Sequence, residues 1–72
     1  MNKNKLLGII KENNDTQEGL ADALNITRQT LSKKINETNG ASFTLFELKI
    51  IRIRYKLNES EFNAIFFADL VS

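Results

Sequence analysis

The chain has 72 residues, with ten basic and nine acidic side chains for a net charge of +1, and it contains no cysteine, histidine or proline. This length suits a single domain that buries only about 60% of the surface that its unfolded chain exposes. The absence of cysteine excludes a disulfide framework, and without thiolate or imidazole ligands a metal would have to bind carboxylates alone. We expect no metal and no cofactor.

Hydrophobic residues form only short runs, such as residues 65–68, which cannot span a bilayer. The basic N-terminus is not followed by the apolar core of a signal peptide. We therefore expect a cytoplasmic protein that does not bind membranes. The charges themselves alternate in blocks along the chain, so their place on the surface matters more than their sum.

The spacing of the hydrophobic residues predicts an all-α protein, because they recur at intervals of three and four rather than two. A first helix is predicted from Lys3 to Glu12 and ends in an asparagine-rich cluster. Thr16 is a candidate N-cap for a second, short helix through Leu24. The inward residues of these two helices are predicted to be Leu6, Ile9, Ile10, Leu20, Ala21 and Leu24.

The connection to a third helix is predicted to be only about three residues long. Asn25 stands where a helix ends in a left-handed residue, a conformation that asparagine tolerates. Thr27 is a candidate N-cap for the third helix, which should end near Asn36. Residues 37–43 are predicted to form a loop. Thr44 opens a capping-box pattern before a fourth helix through about Tyr55, and a weaker pattern at Asn58 precedes a fifth helix from Glu61 to about Asp69.

The third helix has an unusual distribution of side chains. On a helical wheel Leu31 and Ile35 share one side, whereas the opposite side carries Gln29, Thr30, Lys33 and Asn36, with Arg28 on its flank. Amide and guanidinium groups form bidentate hydrogen bonds with base edges in the major groove of DNA, which admits a helix. The alternative is that this side is simply the solvated face of an amphipathic helix.

The spacing of seven residues around the predicted turn at Asn25 resembles the helix-turn-helix of the Cro and phage-repressor family, also called XRE. The residues are Gln17, Ala21, Asn25, Ile26, Thr27, Leu31 and Ile35. Physical reasons support the pattern: the residue at the helix crossing must be small, the turn needs a left-handed backbone, and the later apolar residues anchor the second helix. The resemblance implies a compact five-helix domain over residues 1–72, similar to the lambda repressor domain, with its motif at about residues 16–36.

The resemblance also implies which residues face the ligand. Gln17 would contact phosphate, and the third helix and the loop after it would contact bases or the backbone. These expected DNA-binding or partner-facing residues are Gln17, Thr27, Arg28, Gln29, Thr30, Ser32, Lys33, Asn36, Thr38, Asn39 and Ser42.

Several residues depart from the family pattern. Asn25 replaces the usual glycine, and Gly19 stands inside the second helix where the family has a charged helix former, at a cost of about 1 kcal/mol. Glu18 and Asp22 put negative charge on the helix that should cross the DNA backbone, and the loop lacks cations. These features weaken the attraction to phosphate and favour low intrinsic affinity or a need for a partner.

The last two predicted helices contain more hydrophobic side chains than one face of each can bury. We expect some of them to form an interface, and the candidates at the end of the chain are Phe66, Phe67, Leu70 and Val71. A homodimer would place two recognition helices about 34 Å apart, one turn of DNA. Lys49, Arg52 and Lys56 should share a polar stripe on the fourth helix, which we interpret as a solubilising face, or alternatively as a surface for an acidic partner.

No catalytic spacing of residues is present, and glycine is too sparse for a phosphate-binding loop, so we expect neither an enzyme nor a small-molecule substrate. The first hypothesis is a Cro-like regulator of a phage lysogenic or lytic switch, which binds double-stranded operator DNA in the bacterial cytoplasm, as a dimer. The alternative is a protein similar to the phage modulators of repression, which binds the phage repressor protein and alters or blocks its DNA binding.

Overall fold

The computed structural model describes residues 1–68, and within that range the chain is all-α, with five α-helices and no strand. The helices are α1 (Lys3–Glu12), α2 (Gln17–Leu24), α3 (Arg28–Ile35), α4 (Leu45–Arg54) and α5 (Glu59–Phe66), and a short 3-10 turn (Thr38–Gly40) interrupts the loop between α3 and α4. The prediction of five helices is confirmed. The fifth helix begins two residues before its predicted start at Glu61 and ends at Phe66, short of the predicted end at Asp69.

Each helix begins at a side chain that caps its first turn. Thr16, Thr27, Thr44 and Asn58 accept hydrogen bonds from backbone N–H groups three residues later, as predicted, and Asn2 does the same for α1. The capping boxes of α4 and α5 are complete, because Glu47 and Glu61 also accept from the N-cap backbone. Such caps contribute on the order of 1 kcal/mol each, which is considerable for helices of eight to ten residues.

The helices α1, α2 and α4 end in the same way, at a left-handed residue with two backbone hydrogen bonds back to the helix. Asn14, Asn25 and Lys56 have φ values of 53°, 58° and 52°. At each of these ends the N–H of the left-handed residue and the N–H of the residue after it donate to carbonyls of the last turn, as in the Schellman motif. Asparagine tolerates this conformation better than lysine does, so Lys56 is the strained member of the set.

One hydrophobic core joins all five helices. Leu6, Leu20, Leu31, Ile51 and Ile65 are completely buried and come from five different helices. All eight residues predicted to face inward on the first three helices are buried, and Tyr55 and Leu57 complete the cluster. The helix α2 packs against both α3 and α4, while α1 packs against α5. The backbone N–H of Asn2 donates to the carbonyl of Ile65, which ties the start of α1 to α5.

Candidate functional site

The connection between α2 and α3 fixes the position of α3. The N–H of Ile26 donates to the Ala21 carbonyl at 3.0 Å and the N–H of Asn25 donates to the Asp22 carbonyl at 3.1 Å. Ala21 is 1% exposed, so a larger side chain there would push the two helices apart. Thr27 then caps α3. The predicted left-handed turn, small residue and cap are therefore all present.

The outer face of α3 is formed by Arg28, Gln29 and Lys33, and we use that name for these three residues. All three are exposed, while Leu31 and Ile35 are buried on the opposite side. No hydrogen bond or ion pair joins these three side chains to any residue in the part of the chain that is described. Their amide and cationic groups are therefore available for a ligand.

Other predicted residues of this region already have hydrogen-bond partners inside the protein. The Thr27 hydroxyl donates to the Thr30 hydroxyl at 2.9 Å, and Thr30 is half-buried. The Asn36 amide nitrogen donates to the carbonyl of Ser32 at 2.9 Å, and its oxygen accepts from the Lys3 ammonium at 3.1 Å. A ligand would have to compete with these bonds, so Asn36 and Thr30 are less available than the outer face of α3.

Gln17 and Arg28 line the same open groove, which lies between the end of α1 and the start of α2 and also includes Lys11 and Glu18. Gln17 is half-buried at the first position of α2, next to backbone N–H groups that have no partner inside the helix. The structure thus brings the predicted phosphate contact and the start of the outer face of α3 together.

The loop after α3 is exposed and turns sharply. Glu37 and Asn39 have left-handed backbones, with φ values of 54° and 53°. Thr38, Asn39 and Ser42, the residues predicted to touch a ligand, are all exposed. The 3-10 turn of this loop contacts α3, whereas Ser42 lines a groove together with Lys34 and Phe66 and so does not adjoin the outer face of α3.

The third cation of α3 has a structural role that the sequence did not reveal. The Lys34 ammonium donates to Glu47 Oε1 at 2.6 Å, and Glu47 is 7% exposed. Burial alone would raise the pKa of Glu47, but hydrogen bonds from Lys34 and from the Thr44 N–H outweigh it and lower that pKa. Lys34 is therefore used to attach α3 to α4 and does not belong to the outer face of α3.

A second network, also missed, holds the start of α2. Arg54 donates two hydrogen bonds to the carboxylate of Asp15, and the Tyr55 hydroxyl donates a third at 2.7 Å. The guanidinium of Arg54 holds the pKa of Asp15 at about 2, below its usual range. Burial, followed by the bond to Asp15, raises the pKa of Tyr55. This network fastens the turn before α2 to the end of α4.

The network also explains why residue 19 of α2 is a glycine. A Cβ atom on this residue would lie 2.5 Å from Oδ1 of Asp15 and 3.3 Å from Oγ1 of Thr16. The glycine therefore leaves room for the Asp15 carboxylate, although it lowers the helix propensity of α2.

Among the interface candidates, Phe66 and Phe67 are half-buried. Phe66 makes an edge-to-face contact with Phe43 at 5.9 Å between ring centres, and Phe62 lies between Phe66 and Phe67. Leu70 and Val71 lie outside the described residues. Within residues 1–68 the large exposed hydrophobic side chains are instead on α4, namely Leu45, Phe46 and Ile53.

The predicted polar stripe of Lys49, Arg52 and Lys56 is not continuous. The helix α4 ends at Arg54, and Lys56 follows it in a left-handed conformation. The period of 3.6 residues therefore does not extend to Lys56. Lys49 and Arg52 remain exposed on the helix.

No family model, curated protein or solved structure matches this chain. Within residues 1–68, no group of three or more acidic side chains is placed to hold a metal ion, and no helix has the length and apolar character needed to cross a bilayer. The best-defined candidate site is the outer face of α3 together with Gln17.

Proposed function

We propose that the protein is a small helix-turn-helix regulator that binds operator DNA through the outer face of α3. The observation that carries this proposal is the pairing of an anchored helix with an unpartnered polar face: Leu31 and Ile35 are buried, while Gln29 and Lys33 project outward without partners in the described chain. The short left-handed turn at Asn25 supports it, because this geometry is typical of the motif.

In the proposed complex α3 lies in the major groove. Gln29 is suited to a bidentate contact with adenine, and Arg28 to a contact with guanine or phosphate. Gln17 and the free N–H groups at the start of α2 would hold a phosphate, which positions the helix without reading sequence. A homodimer would place two such helices about 34 Å apart on a palindromic operator. In a temperate phage, such a protein would act in the switch between lysogenic and lytic growth.

Alanine substitutions on the outer face of α3 and at Gln17 test this proposal. Gln29→Ala and Arg28→Ala should each cost about 1 to 3 kcal/mol of specific binding and relax the preference at one base pair. Gln17→Ala should weaken binding to all sequences alike. The matched control is Asn4→Ala, an exposed amide on α1 that should leave the affinity unchanged. Operator affinities that stay the same in all three variants would refute this proposal.

One observation favours a second candidate, a modulator of repression that binds the phage repressor protein. Glu18 and Asp22 are exposed on the outer side of α2, where the DNA backbone would pass, and neither forms an ion pair within residues 1–68. These carboxylates repel phosphate but would attract the basic DNA-binding surface of a repressor. The protein would then share, alter or obstruct that surface and have little DNA affinity of its own.

Reversing the charge of α2 separates the two candidates. Glu18→Lys with Asp22→Lys should raise the affinity for DNA if DNA is the ligand. The same double variant should lose a stoichiometric complex with the repressor, measured without DNA, if the repressor is the ligand. Failure of the unaltered protein to co-purify with the repressor of the phage that would encode it would argue strongly against the second candidate.

A further inference from the structure

The side of α4 that points away from the core is unusually hydrophobic. Leu45, Phe46 and Ile53 are 80%, 70% and 76% exposed. On the helical wheel they share a sector of about 120° with Lys49 and Arg52, whereas Glu47 and Ile51 are buried on the other side. We call these five exposed residues, Leu45, Phe46, Lys49, Arg52 and Ile53, the α4 outer face.

Single exposed hydrophobic residues are normal in proteins and require no explanation. Here, however, the three large exposed hydrophobic side chains of residues 1–68 all lie on one face of one helix. Together they present on the order of 400 Å² of side-chain surface, which is in the range of patches that bind other molecules. Phe46, Lys49 and Ile53 stand at positions i, i+3 and i+7, which is the spacing of a seam along which a second helix packs.

The charges on this face indicate what would cover it. Lys49 and Arg52 are exposed, and neither forms an ion pair within the described chain. Arg52 instead lies 5.4 Å from the ring centre of Phe62. A second copy of the chain, related by a two-fold axis along α4, would bring four cations together around the apolar seam. A partner with carboxylates beside its own apolar stripe would neutralise them.

We propose that the α4 outer face binds an acidic amphipathic helix of another protein. The apolar stripe of that helix would pack on Leu45, Phe46 and Ile53, and its glutamate or aspartate side chains would pair with Lys49 and Arg52. The Lys34–Glu47 bond joins α3 to the opposite side of α4. Occupation of the α4 outer face therefore leaves the outer face of α3 open, so this surface is distinct from the one proposed to contact DNA or a repressor.

Two synthetic helices of 21 residues provide the test. Both carry leucine at heptad positions a and d; one has glutamate and the other lysine at positions e and g. Titration followed by 15N chemical shifts should show that the glutamate peptide binds and perturbs residues 45–53. The lysine peptide should bind at least about tenfold more weakly, since it opposes Lys49 and Arg52.

Variants locate the contact. Phe46→Ser and Ile53→Ser should each weaken the glutamate peptide about tenfold or more, the expected effect of losing one buried apolar side chain. Both should fold normally because the side chains are exposed. Lys49→Glu with Arg52→Glu should reverse the preference between the peptides. The matched control, Lys5→Glu with Lys11→Glu, changes two exposed lysines of α1 and should leave both affinities within about twofold.

Three results would overturn the proposal. Absence of binding to both peptides would mean that the face has no affinity for a helix. Equal binding of both peptides would mean that charge does not select the partner. A dimer seen by sedimentation without any peptide, and dissociated by Phe46→Ser, would show that a second copy covers this face.

Discussion

Gly19 offers the sharpest test of how the start of α2 is held. A glycine inside a helix costs about 1 kcal/mol relative to alanine, so Gly19→Ala would stabilise the protein if propensity alone decided. The added Cβ would lie 2.5 Å from Asp15 Oδ1, however, and the carboxylate would have to move. That oxygen accepts hydrogen bonds from the Thr16 N–H at 2.8 Å and from Arg54 at 3.2 Å.

A hydrogen bond to a charged group contributes about 1.5 to 3 kcal/mol, and we take about 1 kcal/mol here because the Arg54 side chain is 36% exposed. Displacement of Asp15 Oδ1 would break two such bonds, about 2 kcal/mol together, which exceeds the gain in propensity of about 1 kcal/mol. We expect Gly19→Ala to lower the free energy of unfolding by about 1 kcal/mol. The matched control is Gly8→Ala in α1, where a Cβ meets nothing within 4 Å, and it should raise that free energy by about 0.5 to 1 kcal/mol.

Urea unfolding measures the energetic coupling between residues 15 and 19. Four proteins are compared, namely the unaltered chain, Gly19→Ala, Asp15→Ala and the double variant. In the Asp15→Ala background the clash is absent, so the same alanine should become stabilising by about 1 kcal/mol. If Gly19→Ala stabilised the unaltered protein as much as Gly8→Ala does, a clash with Asp15 would be refuted. A cycle without coupling between residues 15 and 19 would refute it as well.

Three further predictions concern the same scaffold. The pKa of Asp15 is lowered to about 2 in the folded protein, so ionised Asp15 stabilises the fold fully above about pH 4. This contribution is at most about 2 kcal/mol, and it is lost as the pH falls through 2. Asp15→Asn should therefore destabilise the protein at pH 6 but much less at pH 2, and an equal effect at both would contradict this account. Lys56→Gly should raise the free energy of unfolding by about 1 kcal/mol, because it relieves a left-handed lysine; an unchanged urea midpoint would argue against that strain. Lys34→Met should lower the free energy of unfolding by about 3 kcal/mol, because Glu47 would stay buried without its cation. The double variant Lys34→Met with Glu47→Met should recover much of that loss in thermal unfolding. Equal losses of stability in the single and double variants would contradict this prediction.

The elements of this fold that were predictable depend on local chemistry. Thr16, Asn25 and Thr27 act on N–H groups within a few residues, so the helix ends around the candidate site could be predicted from the sequence. The burial of Leu31 and Ile35 followed from helical spacing. The outer face of α3 was therefore predictable as well, because it is the opposite side of a helix with a clear apolar stripe.

The features that were missed depend on contacts between distant residues. Asp15 and Arg54 are 39 residues apart, and nothing in the local sequence pairs them. Hydrophobic residues occur on nearly every side of the helix α4. The spacing of these residues in the sequence therefore could not show whether Phe46 or Ile51 faces the core. Packing against α2 decides this, and for that reason the α4 outer face emerged only from the structure.

The outer face of α3 is proposed to bind operator DNA. The most direct test is a titration of the purified protein, at two salt concentrations, onto the intergenic DNA beside its own gene, with and without a repressor protein that binds the same DNA. We predict tight binding by the protein alone, weakened by salt as phosphate contacts are lost. No binding by the protein alone, together with a changed repressor–DNA complex when both proteins are present, would contradict the claim and identify the repressor as the target.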